Sequence, residues 1–333
     1  MIGDSMSGSF LSRLPLSRTE HDRDYLSRNN PHLFAELAAD PSTRVLPLWN
    51  GQALVENGAL KLLENSAVPM ASLRLYLGRT STGTDTDADT RTDADAGAAA
   101  GIPVIAAVVT DEVAEQLDPD PAAWGNLRSL GDSLSDRDAG LFTEAVALAN
   151  WHQSHGFSPR TGEATTPDQA GWVRRGPSVD GAPGHEIFPR TDAAIIVGIT
   201  DADDRILLGS NALWEKNRYS LLAGFVEPGE SLEEAVAREV FEESGVHVVD
   251  PVYLGSQPWP FPASLMLGFR ARVDPDREST TIPDGAEILD LRWFSRDELR
   301  DSLDEVILPG RTSIARAIIE DWYGGPIEDR HQW

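Results

Sequence analysis

Residues 224–246 read GFVEPGESLEEAVAREVFEESGV, which combines a turn with the pattern of one amphipathic helix. Pro228-Gly229 interrupts the preceding structure, and Ser231 with Glu234 three residues later forms a capping box. Gly245 supplies the left-handed residue at which such a helix ends. The sequence therefore predicts a helix that begins after Ser231 and ends before Gly245.

The predicted helix carries glutamates beside its apolar side. At about 100° per residue, Glu239 and Glu243 project to the same side as Leu232. Glu242 lies just beyond Ala235. Like charges this close raise one another's pKa and oppose ionisation unless a cation compensates them. One interpretation is an ordinary solvated face, but the placement and the preceding turn favour a site that holds divalent metal ions against a phosphate chain. The apolar stripe of the helix consists of Leu232, Ala235, Val236 and Val240.

The same stretch meets every fixed position of the pattern G-x5-E-x7-R-E-U-x-E-E-x-G-U, in which U is aliphatic. The chain therefore resembles the Nudix hydrolases. The resemblance implies that Glu239, Glu242 and Glu243 bind Mg²⁺ or Mn²⁺ and that the carbonyl of Ala223 adds a ligand. Oxygen ligands of this kind suit hard cations.

The resemblance also implies catalytic roles. Arg238 pairs with Glu230 and braces the loop before the helix. Metal ions neutralise the charge that develops on a diphosphate and lower the pKa of an attacking water, whose proton passes to a glutamate. We expect Glu242, before Glu239, to be this base, although the sequence leaves open which acid is the base and which only binds metal.

A second motif follows the helix at Ser256 to Ser264, which reads SQPWPFPAS. Its alternating prolines hold the chain extended, and Trp259 and Phe261 present rigid aromatic faces. Gln257 adds groups that can hydrogen-bond to a ring edge or a ribose. The alternative interpretation is a proline-rich ligand for an SH3-like module. We favour a substrate-binding loop between two strands, with contacts from Gln257, Pro258, Trp259, Pro260, Phe261, Pro262, Ala263 and Ser264.

This nonapeptide, downstream of the first motif, resembles the NADH pyrophosphatase branch of the Nudix hydrolases. The resemblance implies cleavage of NADH or NAD⁺ to nicotinamide mononucleotide and AMP, in some members removal of NAD caps from RNA 5′ ends, and a homodimer. It covers the C-terminal part of the chain, is weaker from Trp124 to His155, and does not extend through the N-terminal third.

Further positions follow from the resemblance one at a time. Glu287, at the start of a predicted strand, completes the metal site, with an ordinary strand-edge acid as the alternative. Phe225 and Phe188 match aromatic positions that stack on the substrate. Ala315 lies where a backbone group meets the substrate. Arg128 resembles an arginine that reaches the phosphates, with an ordinary surface arginine as the alternative.

One departure from the relatives concerns zinc. Many relatives carry a four-cysteine zinc ribbon that begins F-C-x-x-C-G, whereas this chain has Phe157-Ser-Pro-Arg-Thr-Gly162 and no cysteine. Serine and threonine do not replace thiolates on a structural zinc. His152, His155 and His185 do not by themselves form a tetrahedral site. We therefore expect no zinc, and a segment 158–186 held by packing or by a partner subunit.

The pattern of predicted elements indicates an α+β fold. A Nudix α/β/α sandwich with a mixed sheet is expected over 191–333, after a smaller α/β N-terminal domain over 1–150 and a ribbon-like linker without cysteines over 151–190. Strand-like runs occur in the N-terminal domain at Arg44–Leu48, Ser72–Leu77 and Pro103–Val109, and a helix is predicted at Ala139–His152. Between the last two strands lies a tract at 80–100, rich in Thr, Asp, Ala and Gly, which we expect to be disordered.

Composition limits the possible classes of function. The net charge of −26, from 54 acidic against 28 basic residues, disfavours a long contact with RNA but leaves room for a capped 5′ end in a pocket. No apolar run approaches membrane-spanning length, and the N-terminus lacks a signal-sequence pattern. We therefore expect a soluble cytoplasmic enzyme without a membrane partner.

Three functions are consistent with the sequence. The first is a metal-dependent diphosphatase of NAD(H), with NAD-capped RNA as a further substrate. The second is a Nudix hydrolase of another nucleoside diphosphate derivative, such as ADP-ribose. The third is a noncatalytic nucleotide-sensing module, which the intact set of glutamates disfavours.

Overall fold

The chain divides into two compact units in a computed structural model. The N-terminal unit comprises Arg18–Arg190 together with the short segment Pro260–Ala263. The C-terminal unit contains Thr191–Trp259, the chain from Ser264 onward, and residues 10–17. The tract predicted to be disordered lies outside the described residues except for Thr80, which ends a strand. The structure describes residues 10–68, 70–80, 101–178, 180–278 and 280–329.

The N-terminal unit is built on a mixed sheet in the order β1-β6-β7-β2-β3-β4, with β5 paired to β2 and β8 paired to β3. The strands that the sequence predicts at Arg44–Leu48, Ser72–Leu77 and Pro103–Val109 are confirmed as β2, β6 and β7, with ends shifted by a few residues. The strands of this sheet are β1 (His21–Asp22), β2 (Arg44–Trp49), β3 (Gln52–Glu56), β4 (Ala59–Leu60), β5 (Leu63–Glu64), β6 (Leu73–Thr80), β7 (Ile102–Val108) and β8 (Trp124–Asn126).

The main helix of this unit is buried along most of its length. The side chain of Ser135 accepts a hydrogen bond from the backbone N–H of Asp138 and so starts the helix three residues before the predicted Ala139.

Among the described residues, no helix is both long and apolar enough to cross a membrane. The helices of the unit are α1 (Leu33–Ala39), α2 (Asp111–Leu117), α3 (Leu127–Leu130) and α4 (Asp136–Ser154).

The segment in the position of the zinc ribbon forms a small antiparallel sheet of its own. Its order is β11-β10-β9. The three strands are short, so they need side-chain contacts beyond the ladder to hold them together. They are β9 (Thr166–Asp168), β10 (Val173–Arg175) and β11 (Glu186–Ile187).

The C-terminal unit contains a mixed sheet in the order β15-β16-β12-β13-β17, with β14 paired to β12. The strands β12 and β16 run parallel, and the other pairs are antiparallel. Its strands are β12 (Asp192–Thr200), β13 (Ile206–Asn211), β14 (Leu222–Phe225), β15 (Val248–Trp259), β16 (Ser264–Val273) and β17 (Ile288–Phe294), and its helices are α5 (Leu232–Ser244), α6 (Arg296–Asp301) and α7 (Ile314–Tyr323).

Alternate residues of β12 send their side chains to two separate cores. Ile195 and Val197 belong to a core that contains the apolar stripe of α5. Ile196 belongs to a second core, which contains the apolar side of α7. Because successive side chains of a strand point to opposite faces, the sheet lies between α5 and α7. This arrangement confirms the predicted α+β fold with an α/β/α sandwich.

Candidate active site

The helix α5 begins and ends as its sequence predicts. Ser231 Oγ accepts from the backbone N–H of Glu234, and the Glu234 carboxylate accepts from the backbone N–H of Ser231. Gly245 has φ of 68°, the left-handed conformation that glycine adopts without strain. Local sequence therefore fixes the direction in which the glutamates of α5 point.

Arg238 connects the loop before α5 with the helix itself. Its Nη2 and Nε donate to the two carboxylate oxygens of Glu230 over 2.6 and 3.1 Å, and Nη2 also donates to the carbonyl of Phe225 over 3.0 Å. The bond with Glu230 contributes most to the raised pKa of Arg238, and it lowers the pKa of Glu230. A bidentate pair of this kind holds the loop in one geometry.

The same guanidinium also lies against two acids of the helix. Arg238 Nη1 is 2.9 Å from Glu239 Oε1 and 3.0 Å from Glu242 Oε2. Burial raises the pKa of Glu239, Arg238 lowers it, and the charges of Glu242 and Glu287 raise it further. Glu242 is the more accessible acid, with 57% of its side chain exposed, so it can reach a solvent molecule directly.

Glu243 is the buried member of the set. Its Oε2 has no hydrogen-bond partner among the described residues. Burial, followed by the charges of Glu287, Glu239 and Asp284, raises the pKa of Glu243 to about 8. A buried carboxylate oxygen without a donor is costly unless a cation or proton meets it. This oxygen therefore fits a divalent cation, although no three acidic or histidine side chains converge on one point in the described residues.

Gly224 makes room for this set of acids. A Cβ atom at Gly224 would lie 2.0 Å from Cδ of Glu239 and 2.1 and 2.3 Å from its two carboxylate oxygens. Any side chain at position 224 would therefore displace Glu239. The absence of a side chain at Gly224 therefore leaves space for the Glu239 carboxylate against the backbone of β14.

Of the two remaining predicted metal ligands, one lies on β14 and the other directly before β17. Ala223 is in β14, and its backbone hydrogen-bonds to Glu243, which partly offsets the raised pKa of that acid. Glu287 is exposed just before β17, and its Oε1 is 3.4 Å from Asn211 Nδ2. The carboxylate of Asp284 accepts from the backbone N–H of Glu287 over 3.1 Å. Asp284 therefore fixes the backbone at Glu287, a role that the sequence analysis missed.

Replacement of Glu243 by Gln is expected to stabilise the metal-free protein at high pH. The folded-state pKa of about 8 exceeds the ordinary value of 4.5, so the folded state binds more protons and its stability falls as pH rises from 4.5 through 8. The amide has no such penalty. In EDTA at pH 9, we expect the Tm of Glu243→Gln to exceed that of the wild type by about 3 °C or more. Glu233→Gln, at an exposed acid of the same helix, is the control, and an equal Tm for wild type and Glu243→Gln would contradict the assignment.

The nonapeptide forms a β-hairpin, whereas the sequence analysis predicted a loop. Ser256 to Trp259 continue β15 and pair with residues of β16, from Ser256 opposite Leu267 to Trp259 opposite Ser264. The extended conformation that alternating prolines favour is compatible with a strand, and the pairing partners in β16 complete it. The turn of this hairpin consists of Pro260, Phe261, Pro262 and Ala263.

Gln257 differs from its predicted role. Its side chain is fully buried, its Nε2 donates to the carbonyl of Thr312, and its Oε1 accepts from the backbone N–H of Leu16. Both ends of the amide are therefore engaged within the protein, in place of the predicted hydrogen bonds to a ring or ribose. Gln257 holds the segment at 10–17 and the start of α7 against β15.

The turn of the hairpin lies in the N-terminal unit together with Arg128. The guanidinium carbon of Arg128 is 4.0 Å from the centroid of the Phe261 ring, which is within range of a cation–π interaction. Arg128 and Phe261 were predicted as substrate contacts on separate grounds, and the structure brings the two side chains together. Asn150 also contacts this turn, and no sequence signal identified it.

The remaining predicted substrate contacts fall into two groups. Phe225 and Phe188 are exposed, with relative accessibilities of 60% and 62%, so each can offer a ring face. Ala315 is buried in the first turn of α7, and its backbone N–H donates to Ser313 Oγ over 3.2 Å. That hydroxyl caps the helix, so the backbone N–H of Ala315 has a hydrogen-bond partner within the protein.

A buried arginine organises the segment in the position of the zinc ribbon. Arg174 Nε and Nη2 donate to the hydroxyl and carbonyl of Thr165 over 2.7 and 2.6 Å. Its Nη1 donates to Nδ1 of His152, whose Nε2–H donates to the carbonyl of Gly171. Nearby, the buried Ser158 Oγ is 2.7 Å from His185 Nε2. Side-chain hydrogen bonds therefore hold the segment 158–186 together. His152, on α4, belongs to this network through Arg174 and Gly171.

Comparison with protein-family models gives two matches. Residues 189–316 match the NUDIX domain, and residues 42–151 match the NADH pyrophosphatase-like rudimentary NUDIX domain. The second match extends further toward the N-terminus than the motif-based resemblance. Both units of the chain are therefore related to the same domain family.

Curated relatives share sequence with most of the chain. The NAD-capped RNA hydrolase NudC of Mycobacterium bovis (strain BCG / Pasteur 1173P2) is 49% identical over 216 residues, which are 62% of this chain and 67% of the relative. An NAD-capped RNA hydrolase of Schizosaccharomyces pombe is 34% identical over 252 residues, 66% of this chain and 65% of the relative. The human NAD-capped RNA hydrolase NUDT12 is 36% identical over 201 residues, 57% of this chain and 42% of the relative.

Proposed function

This chain belongs to the Nudix hydrolases, in their NADH pyrophosphatase branch, and we propose that it hydrolyses the diphosphate bond of NAD(H). The products are AMP and nicotinamide mononucleotide, the latter in its reduced form when the substrate is NADH. An NAD-capped RNA 5′ end is a further substrate, since relatives are named for that activity. The observation that carries the proposal is the intact set of glutamates on α5, beside Gly224, in a chain that also has the nonapeptide.

We propose Mg²⁺ or Mn²⁺ as the cofactor, held by Glu239, Glu242, Glu243, Glu287 and the carbonyl of Ala223. The unpartnered oxygen of Glu243 and the all-oxygen set of donors support this assignment. Bound metal supplies neutralisation of diphosphate charge and a lower pKa for the attacking water.

The side chains of the protein then have distinct functions. Glu242 accepts the proton of the attacking water because it is the most exposed of Glu239, Glu242 and Glu243. Arg238 holds Glu230 and the loop, and it orients Glu239 and Glu242. Phe225 and Phe188 stack on substrate rings. We assign further substrate contacts to Arg128, to Ala315 and to the hairpin residues Pro258, Trp259, Pro260, Phe261, Pro262, Ala263 and Ser264.

We also propose a cytoplasmic homodimer that folds without zinc. The homodimer rests on the resemblance to the branch. The absence of cysteine and the hydrogen bonds of Arg174 support folding without zinc. Elemental analysis of the purified protein tests this, because zinc at one atom per chain would contradict it.

Product analysis with four substrates tests the proposed function. The wild-type protein is incubated with NADH, NAD⁺, ADP-ribose and an RNA carrying a 5′ NAD cap, each with Mg²⁺, with Mn²⁺ and with EDTA. We expect nicotinamide mononucleotide from NAD⁺ and from the NAD-capped RNA, reduced nicotinamide mononucleotide from NADH, and no turnover in EDTA. Faster turnover of ADP-ribose than of every NAD substrate would favour another nucleoside diphosphate derivative. Binding without turnover of any substrate would indicate a nucleotide sensor.

A further inference from the structure

The turn of the nonapeptide hairpin accepts hydrogen bonds from a side chain outside the hairpin. Pro260 and Pro262 have no N–H, so the turn offers few internal donors. Asn150, near the C-terminal end of α4, supplies one. Its Nδ2 donates to the carbonyl of Pro260 over 2.8 Å and to the carbonyl of Pro262 over 3.3 Å.

These two carbonyls flank Phe261. A single amide nitrogen that contacts both fixes the backbone on each side of the phenylalanine, and Arg128 covers the ring at 4.0 Å from its centroid. Two groups outside the hairpin therefore set the orientation of the Phe261 ring. The Asn150 amide holds the backbone on either side of Phe261, and the Arg128 guanidinium lies over the face of its ring. An aromatic ring needs such fixed orientation to stack on a planar ligand.

We propose that Asn150 is a positioning residue for dinucleotide binding, and that it acts by holding the Pro260–Pro262 turn and the Phe261 ring. The proposal rests on the proposed function, because it assigns Phe261 to the binding of the NAD(H) substrate. It places a specificity determinant in the N-terminal unit, on a helix that carries none of the motif residues. Asn150 itself does not touch the reacting atoms.

Asn150→Asp tests the proposal with almost no change in shape. The carboxylate cannot donate and repels both carbonyl oxygens, so the turn loses its support. We expect the KM for NADH to rise about tenfold and kcat to change by less than about threefold. Gln153→Glu, an exposed position of the same helix that gains the same charge, is the control and should keep the wild-type KM. Asn150→Gln keeps a donor and should recover most of the wild-type KM.

A double-mutant cycle with Phe261→Leu separates positioning from general stability. If Asn150 acts through Phe261, Asn150→Asp should raise the KM much less in the Phe261→Leu background than in the wild type. Additive effects on KM, or a KM for Asn150→Asp within about twofold of the wild type, would overturn the proposal. A fall in kcat and Tm without a selective change in KM would show a purely structural role. Absence of NADH hydrolysis by the wild type would instead refute the proposed function.

Discussion

Glu242→Gln is expected to lower kcat for NADH hydrolysis by about 10²–10⁴-fold, the range that loss of a general base produces. Glutamine keeps the shape of the side chain but cannot accept the proton of an attacking water. The carboxylate is largely exposed, and its contact with Arg238 is an ion pair between helical residues four apart. Such pairs contribute little to stability. The Tm and the circular dichroism spectrum should therefore stay close to those of the wild type.

The control for this variant is Glu233→Gln, which removes the same charge from an exposed position of α5. Steady-state kinetics of both variants at saturating Mg²⁺ separates the loss of a base from a change in net charge. If Glu242→Gln hydrolysed NADH at close to the wild-type rate, Glu242 would not be the base. The same measurement on Glu239→Gln then decides between the two acids.

Gly224→Ala should abolish most of the activity without unfolding the protein. The new methyl carbon would lie about 2 Å from the carboxylate of Glu239, well inside van der Waals contact. Gly224 does not have a positive φ, so alanine fits its backbone, and the clash falls on the end of a flexible side chain. We expect Glu239 to rotate away and kcat/KM to fall by about 10²-fold or more, because misplacement of a reacting group by one ångström costs this much.

Gly325→Ala provides the matched control, since a Cβ atom there meets nothing within 4 Å. Both variants should have a Tm near that of the wild type, and only Gly224→Ala should bind Mn²⁺ more weakly in a titration followed by electron paramagnetic resonance. Normal turnover by Gly224→Ala would show that the position of Glu239 is not needed for hydrolysis. A large fall in Tm would show that the glycine serves packing instead.

The parts of the fold that local sequence determines were predictable. The capping box of Ser231 with Glu234 and the left-handed Gly245 are both formed, so the phase of the helix and the side on which Glu239 and Glu243 lie followed from spacing alone. Neighbouring residues in the chain carry all of this information.

The contacts that could not be predicted involve partners that are distant in the sequence. Gln257 was predicted to face a substrate, yet its partners Leu16 and Thr312 lie 241 and 55 residues away. Nothing near Gln257 in the sequence indicates that its amide is buried. Asn150 was missed for the same reason, since its carbonyl partners in the turn are 110 and 112 residues away. Tertiary contacts of this kind override a local pattern.

The buried contact between Arg174 and His152 makes one segment of this protein sensitive to acid. Burial lowers the pKa of His152, the charge of Arg174 lowers it further, and the bond to Gly171 acts in the opposite direction. Because the folded state binds fewer protons there, stability falls as pH drops below the ordinary histidine value of 6.5. A chain without cysteine has no thiols for peroxide or mercury to attack. Mild acidification is therefore the stress that should loosen this segment first.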